Sequence, residues 1–144
     1  MASREFTSRP TPGQAGFTLV ELLVVMLILA LMAAIAIPAF FNQAKKARDA
    51  DAKADVRTAE TAIEVYGTDN DGRYTGADVV ELRKIEPTLN DANLTVDLAT
   101  ADTFQVTTDS ATGNRFHIAR ASGILNLTCE TADTAGCPSD GTWG

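Results

Sequence analysis

The sequence predicts an α+β protein: a long N-terminal α-helix, transmembrane in its first half, whose second half packs on a small antiparallel β-sheet head. Three observations predict it. Phe17 to Phe41 is an apolar run whose only charge is Glu21. Apolar residues then recur at helical spacing as far as Tyr66, and short alternating stretches follow between Thr95 and Cys129. Whole-chain figures conceal this division. The 144 residues carry 12 basic and 19 acidic side chains, with a mean hydropathy of −0.01; they average to an ordinary acidic domain only because a very apolar segment is joined to a polar one. One domain of about 100 residues is the most that fits after the apolar run. A net charge of −7 argues against a nucleic-acid surface, which needs clustered Lys and Arg. One His and one pair of Cys leave little for a metal centre or a Cys/His nucleophile. No catalytic residue, metal or cofactor is expected.

The N-terminal elements come first. Residues 1–16 are polar and rich in small or helix-breaking residues, with Arg4 and Arg9 outweighing Glu5. A conventional secretory signal is cut after its apolar stretch, which here would discard Phe17 to Phe41; a Gly directly before the stretch offers a cut that keeps it. The 25 residues from Phe17 to Phe41 exceed the roughly 20 that cross a bilayer as a helix. Glu21 in the first turn would cost about 2.5–3.5 kcal/mol near the bilayer centre. Its charge is favoured by the helix dipole, and cleavage before Phe17 would create a cationic amine beside it. An interfacial carboxylate and a partnered one both fit the position. Pro38 removes a helical hydrogen bond and crowds the carbonyl of Ala34, kinking or loosening the helix near the membrane exit.

The stretch Gly16-Phe17-Thr18-Leu19-Val20-Glu21-Leu22-Leu23-Val24-Val25, followed by Ala36-Ile37-Pro38, resembles the class III signal and N-terminal helix of type IV pilins and pseudopilins. The resemblance is dense from Gly16 to about Ala47 and one of layout beyond. It implies that a prepilin peptidase cuts between Gly16 and Phe17 and methylates Phe17. It implies that Glu21 neutralises the N-terminal amine of a neighbouring subunit during assembly, and that Pro38 marks where the helix melts on entering a filament. Family leaders often place Lys or Arg just before the Gly; Gln14-Ala15 stand here, so orientation in the membrane rests on Arg4 and Arg9. The implied protein is a homo-oligomeric filament subunit, stored in the cytoplasmic membrane and assembled at the cell surface by pilus or secretion machinery. A type II secretion pseudopilin and a competence pilin are alternatives within the class. A single-pass anchor displaying a small binding domain explains the apolar run, but not the Gly-Phe junction or a Glu in the first turn.

From Asn42 to Tyr66 the helix continues as an amphipathic one. Ala52, Val56, Ala59, Ile63 and Tyr66 form the apolar stripe, and Lys46, Lys53, Arg57, Glu60 and Glu64 read as a solvated face, with Asp49 and Lys53 in the favourable i,i+4 order. Fifty residues from Phe17 to Tyr66 would span about 75 Å. Gly67 is expected at the helix C′ position, before the turn-rich Thr68 to Gly72; Glu64 to Tyr74 resembles the helix-end motif of pilins and the major pseudopilin. Its acids lack the spacing of an EF-hand loop. Gly76 to Ile85 is expected to hold a short helix beginning near Asp78. Strands are expected at Thr95–Leu98, Thr103–Thr108, Arg115–Arg120 and Ile124–Cys129, with Phe104, Val106, Phe116 and Ile118 inward and His117 outward without a partner. The helix stripe must cover that sheet. Cys129 and Cys137, eight apart behind an export signal, are expected to form a disulfide contributing about 2–3 kcal/mol, and Trp143 to pack on the sheet or on a neighbouring subunit. The expected organisation is a leader at 1–16, a transmembrane and filament-core helix at 17–41, its amphipathic continuation at 42–66 and an α+β head at 67–144.

Overall fold

The computed structural model describes residues 16–144; the reading of Arg4 and Arg9 as topology determinants falls outside them. The chain divides into two compact units, one ending at Ile37 and one comprising Pro38–Gly144. Helix α1 (Leu19–Asp69) contributes to both.

Within Pro38–Gly144, one face of α1 is buried and small: Ala52, Val56, Ala59, Ala62 and Ile63. Three alanines on that stripe let a sheet approach closely. After α1 come α2 (Val79–Ile85), a 3-10 turn (Pro87–Asn90), and strands β1 (Leu94–Ala99), β2 (Phe104–Asp109), β3 (Arg115–Ala121) and β4 (Ile124–Cys129). The strands form one antiparallel sheet in the order β1-β2-β3-β4. The pleat alternates side chains between faces, so Phe104, Val106, Phe116 and Ile118 all enter the core with Leu82, Leu89 and the α1 stripe. The β3–β4 connection is tight because Ser122 and Gly123 both adopt positive φ, 52° and 78°, the conformation that closes a two-residue hairpin. Asp78 caps α2 as expected, its carboxylate accepting from the Glu81 N–H at 2.9 Å. Thr108 Oγ1 donates to the Ala52 carbonyl at 2.7 Å and ties β2 to α1.

Beyond β4, the tail folds back along that edge strand. Cys129 N–H donates to the Gly141 carbonyl (2.8 Å), Trp143 N–H to the Leu127 carbonyl (3.3 Å) and Trp143 Nε1–H to the Thr128 carbonyl (2.8 Å). The Trp143 ring meets Phe116 edge-on at 5.9 Å. Cys129 and Cys137 are disulfide-bonded, with Cα atoms 5.8 Å apart. At the opposite edge the pairing of β1 slips between Val96 and Leu98.

Three expectations are corrected. The helix does not stop at Tyr66, and Gly67 is not its C′ residue. Gly67 is helical and buried, the Asn70 side chain caps the Tyr66 carbonyl (2.8 Å), and the chain reverses at Asp71 and Gly72, at φ 57° and 78°. What requires glycine at position 67 is the Tyr74 ring: a Cβ there would lie 2.7 Å from its Cε1. The Gly67→Ala variant should gain about 1 kcal/mol of helix propensity but lose more by overpacking. A net destabilisation of about 1–2 kcal/mol is expected, read as a lowered thermal midpoint of the full chain in detergent.

The second correction concerns the charged face of α1, which is not uniformly solvated: Lys53, Glu60 and Glu64 are half-buried. Lys53 Nζ donates to the Gly136 carbonyl at 2.7 Å and lies over the Phe116 and Trp143 rings at 5.3 and 5.4 Å. The third concerns His117, which leaves the core face as expected but is buried and partnered.

Candidate functional site

Gly16, Phe17 and Thr18 precede α1 in non-helical conformation, and Phe17 is 82% exposed. A peptide bond that is accessible and free of regular structure is what a peptidase needs, and the Gly16–Phe17 bond is both. Immediately after it the helix opens on a reciprocal cap. The Glu21 N–H donates to Thr18 Oγ1 (3.2 Å), while Glu21 Oε2 accepts from both the Thr18 N–H and the Thr18 hydroxyl (2.8 Å each). This is a capping box, which satisfies two of the donors that a helix start leaves open. It folds the carboxylate back over the residue next to Phe17. Oε1 accepts no hydrogen bond among the described residues, so one lone-pair face of Glu21 is left for another partner.

Downstream, the large apolar side chains from Leu19 to Phe41 are exposed. The most apolar 18-residue window has a mean hydropathy of 2.9 and none of it is buried. The helix is long and apolar enough to cross a membrane. Pro38 lies inside α1, at the divide between the two units, and cannot donate to the Ala34 carbonyl.

The head contributes three polar clusters. Asp49, on α1 and completely buried, accepts from Ser110 Oγ (2.6 Å) and the Thr112 hydroxyl through Oδ1, and from Asn114 Nδ2 and the Gly136 N–H (2.7 Å each) through Oδ2. It thereby pins the β2–β3 hairpin tip and the disulfide loop to one point on the helix. Burial alone would push its carboxyl up, but the four hydrogen bonds outweigh it and hold the group below the usual carboxylate range. Gly136 is indispensable to this approach, since a Cβ there would meet the Asp49 Cβ at 2.6 Å.

Near the end of α1, Arg120 pairs with Glu64 and donates to the Tyr74 hydroxyl (2.9 Å), which itself donates to Glu64 Oε2 (2.8 Å). Burial, then the Glu64 carboxylate, raises the Tyr74 hydroxyl above its ordinary range. On the outer face of the sheet Thr107 Oγ1 meets His117 Nδ1 (2.7 Å) and donates to Asp97, and His117 Nε2 faces Glu130 Oε1 at 3.2 Å. Hydroxyl, imidazole and carboxylate in a row have the partners of a nucleophilic relay. Thr107 is completely buried, so no substrate atom reaches its oxygen and the row acts as a strut across β1, β2 and β3. No group of His, Cys, Asp and Glu suited to a metal occurs among the described residues.

Sequence reasoning places Gly16, Phe17, Glu21 and Pro38 together on α1 and its approach, and pairs Cys129 with Cys137. It misses Thr18, although Thr18-x-x-Glu21 is the sequence signature of a capping box. It also misses the Asp49 hub, for which one Asp among the three at 49, 51 and 55 of a polar helix gives no local signal.

An exposed junction, a capped apolar helix of membrane length and an α+β head together describe a helix-anchored protein with a small head. Residues 11–37 match the family model described as the prokaryotic N-terminal methylation motif. The chain is 32% identical over 73 residues to the competence protein ComGC of Halalkalibacterium halodurans, covering 51% of this chain and 72% of that one. It is 37% identical over 57 residues to the type II secretion system core protein G of Pseudomonas aeruginosa, 40% of each chain. To the type IV major pilin protein PilA of Myxococcus xanthus it is 37% identical over 68 residues, 47% of this chain and 30% of that one. The chain belongs to the type IV pilin-like family of filament subunits.

Proposed function

We propose that the chain is stored in the cytoplasmic membrane through Phe17–Phe41, is cut between Gly16 and Phe17 by a prepilin peptidase that also methylates Phe17, and polymerises through its N-terminal helix into an extracellular filament. The observation that carries this reading is the exposed Gly16–Phe17 bond set directly before the Thr18–Glu21 cap and an unburied apolar helix. In storage, lipid covers the apolar side chains; in a filament, the same segment of other subunits covers them. Glu21 supplies register by pairing with a neighbour's amine, and Pro38 is where the helix loosens on entry. The head forms the filament surface, and its role is structural and not enzymatic. The relatives are named for competence, secretion and pilus systems, and the proposal is confined to the assembly step without choosing among them. A plain single-pass anchor leaves the Gly16–Phe17 junction without a purpose and Glu21 with none beyond its cap on Thr18.

N-terminal sequencing of the membrane-stored protein tests the first step. A mature chain starting at methylated Phe17, shorter than the uncut one by residues 1–16, is expected. Its net side-chain charge should be −8, since Arg4, Arg9 and Glu5 leave the −7 chain together. An uncut chain, or one starting beyond Phe41, would overturn the proposal.

A further inference from the structure

The helix face that buries Asp49, Ala52 and Val56 continues one turn toward the membrane segment as Lys45, where the head no longer covers it. The β2–β3 hairpin tip and the disulfide loop overhang this place. Together they enclose a cavity of about 530 Å3 lined by Asn42, Lys45 and Lys46 of α1, Thr112 and Asn114 of the tip, and Thr134 of the loop. Both lysines lack an ion pair among the described residues, and no carboxylate lines the cavity. The nearest acid on that face, Asp49, is closed off by its four donors.

The position along the chain says what such a cavity meets. Phe40 and Phe41, 70% and 60% exposed, end the apolar run. Residues 42–48 then carry three cations and no acid. Lys45 lies four residues past Phe41, about 6 Å at 1.5 Å per residue. A polar headgroup layer is about 5–8 Å thick on each side of the hydrocarbon, so the cavity stands at headgroup depth whenever Phe41 stands at the hydrocarbon edge. Two unpaired ammonium groups surrounded by hydroxyl and amide side chains suit an anionic phosphodiester. A chain with a net charge of −7 offers no extended phosphate track, but one headgroup needs only this local pair.

We infer that the cavity under the hairpin tip and disulfide loop binds the phosphate of an anionic phospholipid headgroup through Lys45 and Lys46 while the subunit is stored in the membrane. The inference rests on Phe17–Phe41 spanning the bilayer. Separating the two is direct: failure of the full chain to co-float with phosphatidylcholine vesicles refutes membrane storage, whereas the headgroup site is judged only on chain that has inserted.

The test is amide hydrogen exchange of the inserted full chain at the hairpin tip (111–114) and the disulfide loop (131–136). Vesicles of phosphatidylcholine are compared with vesicles containing phosphatidylglycerol. Phosphatidylglycerol should slow exchange at both loops by about tenfold. The Lys45→Gln/Lys46→Gln variant should lose the slowing, and Lys84→Gln, at a remote exposed lysine, should keep it. Equal exchange in the two lipids, or slowing retained in the double variant, overturns the site. Inorganic phosphate reproducing the effect in phosphatidylcholine would overturn its assignment to lipid. Slowing that disappears as protein is diluted in the bilayer would assign the cavity to a second copy of the chain instead.

Discussion

Glu21→Ala should leave cleavage and membrane insertion intact while reducing filaments sheared from cells by about a hundredfold. The proposed filament core is packed from Leu, Val and Ile of the 17–41 segment, where a charge persists only if paired. The nearest cation in sequence is the amine that cleavage creates at Phe17. Removing the carboxylate leaves a neighbour's amine buried and alone, a loss of about 3–5 kcal/mol, and 3 kcal/mol is already about a hundredfold in a docking equilibrium. Insertion, by contrast, gains from losing a charge. The Thr18–Glu21 cap complicates the Ala variant, because Ala also removes two hydrogen bonds from the helix start. Glu21→Gln separates the two effects: its amide oxygen still accepts from Thr18 but its charge is gone. Filament loss in both variants would assign the effect to charge, whereas loss in Ala alone would assign it to the cap. Glu21→Asp should be milder than Ala, keeping the charge with a shorter reach. Normal filament yield from the Ala variant would return Glu21 to an interfacial role.

Asp49→Ala should lower head stability by about 3–5 kcal/mol, as much as truncating one of the buried core phenylalanines. Three side-chain donors and the Gly136 N–H converge on its carboxylate. Each donor left buried without a partner costs about 1–3 kcal/mol, less than additively because the hairpin tip can relax toward water. At about 4–8 °C per kcal/mol for a head of this size, the thermal midpoint should fall by at least about 12 °C. Asparagine is no conservative replacement. Its oxygen can serve Ser110 and Thr112, but its amide hydrogens then face the donors of Asn114 and Gly136. The sign with pH follows from the lowered carboxyl. The stabilisation is fully present above the unfolded value near 4, and is lost as pH falls through the lower folded value. Wild-type stability should therefore drop on acidification below about pH 4, and this part of the drop should vanish in Asp49→Ala. An acid profile unchanged by the substitution would contradict the hub.

What the sequence discloses and what it hides divide along one physical line. The apolar run, the Val56/Ile63 stripe, the alternation of Phe104 with Val106 and of Phe116 with Ile118, and the pairing of Cys129 with Cys137 are set by local periodicity or residue chemistry, and all are present in the fold. The polar clusters are not local. Asp49 meets partners 61 to 87 residues away, and its burial is decided by where the hairpin tip lands, not by its helical neighbours Lys45 and Lys53. His117 alternates off the core face, yet Thr107 and Glu130, ten and thirteen positions away, close over it. Gly67 shows a third way for a local rule to fail. Its C-cap propensity is overridden because the Tyr74 ring needs the space, and the positive φ passes to Asp71 and Gly72. Thr18 is the exception in the other direction, legible from spacing alone.

The tail lying along β4 bears on solubility as much as on folding. An edge strand offers unpaired N–H and C=O groups that any extended chain can join, and such edges seed strand-by-strand aggregation. On this head Gly141 and Trp143 occupy the Cys129 and Leu127 positions of that edge, while the slipped pairing at Val96–Leu98 spoils the other as a template. The disulfide anchors the occupying tail, since Cys137 is tied to the last residue of the strand that the tail covers. Reduction therefore does more than relax the loop between Cys129 and Cys137. It removes the covalent anchor of the strip that guards this edge, leaving the backbone pairing of Gly141 and Trp143 and the packing of Trp143 on Phe116 to keep neighbouring heads from pairing with β4.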